Sequence, residues 1–76
     1  MQQPARNNLR ALGATIRKER GRLELSQENF GEKCDLHRTY VGQVERGEKN
    51  ISFTNILRIA AALRKEPSEL LRLAGM

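Results

Sequence analysis

The sequence predicts an all-α protein, a compact bundle of about five short helices. Two observations predict it. Apolar residues recur at three- and four-residue spacing along most of the chain, and no stretch shows the period of two that a strand requires. Helix-start residues (Ser26, Ser52, Pro67) and helix-stop residues (Gly21, Gly47) punctuate that pattern at short intervals. No repeat, low-complexity segment or interdomain linker interrupts it, so residues 1–76 read as one domain.

In the first segment Leu9, Leu12, Gly13 and Ile16 fall on one helical face, and the next position on that face is Arg20. An arginine there must either extend its stem to water or be buried with a partner. Gly21 permits the helix to end. Ser26 is a good N-cap for a second helix, and Glu28 sits near the positive end of its dipole. Phe30 and Cys34 form the inner face of this helix, Asp35 breaks it and Leu36 follows as an apolar plug. A third helix runs from about His37 to Arg46, with Gly47 as its stop. Two short helices joined by so short a connection, over about residues 26–46, have the sequence shape of a helix-turn-helix. Ser52 caps a fourth helix whose Phe53, Ile56, Leu57, Ala60 and Leu63 make a broad apolar face, widened by Ile59. Pro67 opens a last short helix bearing Leu70, Leu71 and Leu73.

The composition, 38% hydrophobic and 4% aromatic in 76 residues, suits a small aliphatic core and leaves little room for an enclosed substrate cavity. Cys34 is the only cysteine, which excludes an internal disulfide and a Cys-rich metal cage and fits a reducing cytoplasm. The N-terminal MQQPARNN lacks the apolar run of a signal peptide, and no stretch approaches a membrane span. The net charge is +5, unevenly spread. Residues 1–25 carry six basic groups against two acidic, residues 26–50 four against five, and residues 51–76 four against two. A basic chain of this size most often meets a polyanion. The near-neutral middle then discriminates among sequences while the flanks supply general attraction.

On a wheel of about 100° per residue, Tyr40, Val41 and Val44 share one side of the third helix. Arg38, Thr39, Gly42, Gln43 and Arg46 fall on the opposite arc. Arg and Gln carry paired donors and acceptors that match base edges in the major groove, and Thr adds a hydroxyl and a methyl. Gly42 removes bulk where the helix approaches the groove floor. Glu45 lies at the border of the two arcs. With Arg20 misplaced on an apolar face, it suggests one partly buried ion pair between the first and third helices. Cys34 and His37, three residues apart, hint at a nucleophile and base. The inner-face position of Cys34 makes it a core residue instead, and a lone histidine makes no metal site.

Over residues 16–63 the chain resembles the helix-turn-helix domain of Xre or Cro/CI-type repressors. The resemblance rests on Arg20, LSQENF at 25–30, Leu36, VGQVERG at 41–47 and the run from Asn50 to Leu63. The Arg-Thr-Tyr-Val sequence and the size look most like the small controller proteins of restriction–modification systems. The resemblance implies that Arg38, Thr39 and Gln43 read bases and that His37 touches DNA at the helix start. It implies phosphate contacts by Gln27, Arg46, Lys49 and Asn50, and an Arg20–Glu45 ion pair. Three departures stand out: Phe30-Gly31 where Leu-Ala is usual, Asp35 in place of the turn glycine, and His37 in place of the N-cap serine.

The expected function is sequence-specific transcriptional regulation by a homodimer on palindromic double-stranded DNA, in the cytoplasm. The surplus apolar residues Ile59, Leu63, Leu70 and Leu73 are expected at the dimer interface. No enzyme activity, cofactor, metal, membrane or small-molecule partner is expected. An antitoxin that binds a toxin and its own operator is the alternative. A non-specific nucleic-acid binder is less favoured, because its basic residues should crowd the DNA face.

Overall fold

The computed structural model describes residues 6–76, so for residues 1–5 the expectation of no leader sequence lies outside what it covers. The described chain forms α1 (Arg6–Arg22), α2 (Gln27–Cys34), α3 (Arg38–Glu45), α4 (Phe53–Ala62) and α5 (Pro67–Leu73). No strand occurs among the described residues.

The helix starts are set by local chemistry. Ser26 accepts a hydrogen bond from the Asn29 backbone N–H at 3.0 Å, and Ser52 accepts one from Asn55 at 3.1 Å. Each satisfies an N–H that has no partner inside its helix. Pro67 opens α5, where its missing N–H costs nothing. His37 replaces a serine at the start of α3 and does the same work, its Nδ1 accepting from Thr39 N–H at 3.0 Å.

The first helix ends later than the position of Gly21 suggests. It continues to Arg22, and the left-handed residue that turns the chain is Glu24, with φ 58°. The N–H of Leu25 reaches back to the Arg20 carbonyl at 3.3 Å, closing the end. Asp35 takes the left-handed conformation in the helix-turn-helix corner, φ 59° and ψ 42°. That conformation crowds Cβ against the following carbonyl in any L-residue, though Asp tolerates it better than most.

α3 is held from two sides, by α2 and by α1, while α4 packs on α2 and α5, and α5 returns to α1. The core between them is Leu12, Ile16, Phe30, Cys34, Val41, Val44, Ile51, Ile59, Ala60, Leu63 and Leu70. Two crossings depend on the absence of a side chain. A Cβ on Gly13 would run into the Val44 and Glu45 backbone carbonyls, and one on Gly31 into that of Leu36. Helix backbones therefore approach more closely at both ends of α3 than an alanine would allow. The Phe30-Gly31 departure thus pairs a larger core side chain with a smaller crossing residue.

The assignment of Ile59, Leu63 and Leu70 to a dimer interface is corrected here. They are 1%, 4% and 0% exposed and fill the centre of the bundle. The side of α4 that faces inward runs Ile56, Ile59, Ala60, Leu63, because α5 folds back across it. Phe53 and Leu57, expected on the inner face, are left 72% and 40% exposed, and Leu73 is 51% exposed.

Candidate nucleic-acid interface

α3 presents its sides much as the wheel predicts. Val41 and Val44 are buried, Tyr40 is half-buried, and His37, Arg38, Thr39 and Arg46 are exposed with Gln43 partly so. Gly42 departs from expectation. It is buried, because Gln27 and Arg46 close over it: a Cβ there would meet Arg46 Nη1 at 3.2 Å and Gln27 Oε1 at 3.5 Å. In the free protein two flexible side chains therefore lie over this part of the outward face.

The face is braced from behind by one ion pair. Arg20 Nε donates to Glu45 Oε2 at 2.6 Å and Arg20 Nη2 donates to Glu45 Oε1 at 3.0 Å. Arg20 Nη1 also donates to the Leu25 carbonyl at 2.8 Å, fixing the α1–α2 turn. Glu45 lies 8% exposed as a residue, so both oxygens need donors. The second donor to Oε1 is Gln27 Nε2, at 3.0 Å. The hydrogen bond to Glu45 raises the Arg20 pKa further, and the guanidinium stays charged throughout the useful pH range. Three helices thus converge on one carboxylate, and the orientation of α3 depends on it.

Gln27 was expected at a phosphate. In the structure one of its amide hydrogens is committed inward, to Glu45, and the residue is partly buried. Tyr40 is likewise engaged: its hydroxyl accepts from Asn55 Nδ2 at 3.1 Å, tying α3 to α4. No sequence spacing announces either contact.

The two outward arginines are paired in the free protein. Arg38 Nη1 lies 2.6 Å from Glu28 Oε2, with both side chains more than half exposed. Arg46 grips Glu48 with Nε at 2.8 Å and Nη2 at 3.2 Å. The bond from Arg46 holds the Glu48 carboxyl below the usual carboxylate range. Exposed pairs of this kind contribute little to stability and are screened by salt, so a stronger anion or base edge can displace them. Lys49 and Asn50 are exposed beside them in the loop before α4.

Elsewhere, burial pushes the Cys34 thiol up to about 11, which leaves it protonated and inert at neutral pH. Glu19 is a buried carboxylate that the sequence pattern did not single out. It lies 3.4 Å from Lys65 Nζ and 3.6 Å from Arg22, joining α1 to the α4–α5 corner. Only the i,i+3 spacing to Arg22 hints at it in sequence. No helix among the described residues is long and apolar enough to cross a membrane.

Comparisons with known proteins agree with this architecture. A family model described as helix-turn-helix matches residues 16–70. The control protein C.BamHI of Bacillus amyloliquefaciens is 45% identical over 67 residues, covering 86% of this chain and 83% of the relative. The control protein C.SmaI of Serratia marcescens is 38% identical over 65 residues, covering 86% and 77%. Among solved structures, the restriction–modification controller protein C.AhdI of Aeromonas hydrophila superposes with a TM-score of 0.79 at 47% identity, covering 82% of this chain and 94% of that one. With α2 and α3 crossing as described and α3 braced by Arg20 and Glu45, the chain belongs to the Xre-type helix-turn-helix family and is similar to restriction–modification controller proteins within it.

Proposed function

We propose that this protein is a sequence-specific DNA-binding transcription regulator. It acts as a cytoplasmic homodimer on a palindromic operator and controls a restriction–modification system. The observation that carries the proposal is the outward face of α3. Arg38, Thr39 and Gln43 stand there on a helix braced from behind, with Arg38 held only by the exposed pair to Glu28 that a base edge can displace. His37 completes the helix start, and Arg46, Lys49 and Asn50 position the chain on phosphates. Gln27 can donate its second amide hydrogen to a phosphate without leaving Glu45. The control and controller names of the relatives support the regulatory role.

Dimerisation follows from scale and surface. One helix reads only a few base pairs, and a two-fold dimer doubles them on a palindrome. The apolar side chains that a partner copy would cover are Phe53 and Leu57, one turn apart on α4, with Leu73.

The test is selection from a random duplex library followed by sequencing. A palindromic consensus with half-sites about one helical turn apart is the expected product. Recovery of unselected sequence at every salt concentration would contradict the proposal. The flanking genes separate the two regulatory roles: a methyltransferase and endonuclease mark a controller, and a toxin marks an antitoxin.

A further inference from the structure

The first turns of α1 carry Arg6 and Arg10, and neither forms an ion pair among the described residues. Both are exposed, and they line one concavity with Arg46, Glu48 and Asn50 from the end of α3 and the loop after it. The closeness of the two elements is built in. Gly47 has φ +75°, and a Cβ on it would lie 2.8 Å from Arg10 Cα and 2.9 Å from Arg10 N. Only glycine lets the backbone of α1 rest on this loop. The single carboxylate in the concavity, Glu48, is already gripped by Arg46 through both oxygens. What remains is a recess with guanidinium groups from two elements and no unshared anion.

We propose that Arg10, with Arg6 beside it, completes a seat for a DNA backbone phosphate at the far end of the recognition helix. The occupant is a phosphodiester of the duplex that α3 reads, so the inference rests on the DNA-binding function proposed above. Arg10 donates to the phosphate from α1 while Arg46 leaves Glu48 to donate from α3. The seat adds sequence-independent affinity and fixes the angle at which α3 enters the groove.

The test is the salt dependence of binding to a random-sequence duplex, measured by fluorescence anisotropy. Each phosphate neutralised contributes about −0.9 to the slope of log K against log salt. Arg10→Gln keeps the Cβ and Cγ that cover Gly47, and it should reduce the slope by about 0.9 per bound protomer. Arg10→Lys, which keeps the charge, should restore most of it. Arg64→Gln removes an equal charge at the α4–α5 corner and should leave the slope unchanged. Circular dichroism checks that each variant is folded. An unchanged slope in Arg10→Gln, alongside a reduced one in Lys49→Gln, would overturn the seat and leave the DNA-binding function standing. Equal loss in Arg10→Gln and Arg64→Gln would also overturn it, since net charge alone would then explain the effect. A wild-type protein that binds no duplex at any salt would remove the function on which the seat depends.

Discussion

Arg20 and Glu45 are separated by 25 residues and meet through two parallel hydrogen bonds, of 2.6 and 3.0 Å. Their side chains are 14% and 3% exposed, so the pair is largely out of water. Desolvation offsets much of the Coulomb attraction of such a pair, but removing one partner strands the other. Arg20→Ala and Glu45→Ala should each destabilise the fold by about 3 kcal/mol or more. The double variant should lose less than the sum. Urea denaturation of all four proteins gives the coupling energy, and a value indistinguishable from zero would show that the two do not act as a unit.

Two glycines of α1 should respond in opposite directions to the same change. Gly21 is exposed with nothing within 4 Å of an added Cβ, so Gly21→Ala should stabilise by up to about 1 kcal/mol through helix propensity. At Gly13 the same propensity gain competes with collision against two backbone carbonyls of α3, which cannot swing away as a side chain can. Overpacking typically costs about 1–3 kcal/mol, so Gly13→Ala should be a net loss. Thermal melts of the two variants decide it. A stabilised Gly13→Ala would mean that α1 and α3 can separate freely.

Asp35 holds a left-handed turn at φ 59° that glycine adopts without a Cβ clash. Asp35→Gly should raise the unfolding free energy by about 0.5–1 kcal/mol, the left-handed penalty of roughly 1–2 kcal/mol less the extra entropy glycine loses on folding. A fall in the urea midpoint would indicate that the Asp side chain stabilises the corner in another way.

Much of this was legible in the chain. Ser26, Ser52 and Pro67 act on atoms within three residues, so their effect needs no knowledge of the fold. Arg20 and Glu45 were legible because each violates the pattern of its own helix. The side of α4 that faces the core was not. Phe53, Ile56, Leu57, Ile59, Ala60 and Leu63 spread over about 160° of a wheel at 100° per residue, and only the return of α5 decides which of them are enclosed. The burial of Gly42 was not legible either, since part of its cover comes from Gln27 on another helix. Glu19 meets Lys65 across 46 positions of sequence, a distance at which spacing carries no information.

The exposed apolar residues of α4 are where dimerisation can be tested without unfolding the protein. Leu70 is fully buried, and Leu70→Glu should unfold the protein. Phe53→Glu and Leu57→Glu should leave helical circular dichroism intact and shift the sedimenting mass from dimer to monomer. Variants that stayed dimeric with full affinity would exclude this side of α4 from the interface.

If the outward face of α3 reads base edges, its variants must change which sequences the protein selects. Wild-type protein, Arg38→Ala, Gln43→Ala and Lys49→Ala are each carried through the same random-duplex selection, with affinities measured on the wild-type consensus. Arg38→Ala and Gln43→Ala should each cost about 1–3 kcal/mol on that site and relax preference at particular base pairs. Lys49→Ala should weaken all sequences alike and keep the consensus. An unchanged consensus from both Arg38→Ala and Gln43→Ala would contradict the claim and place sequence recognition on another surface.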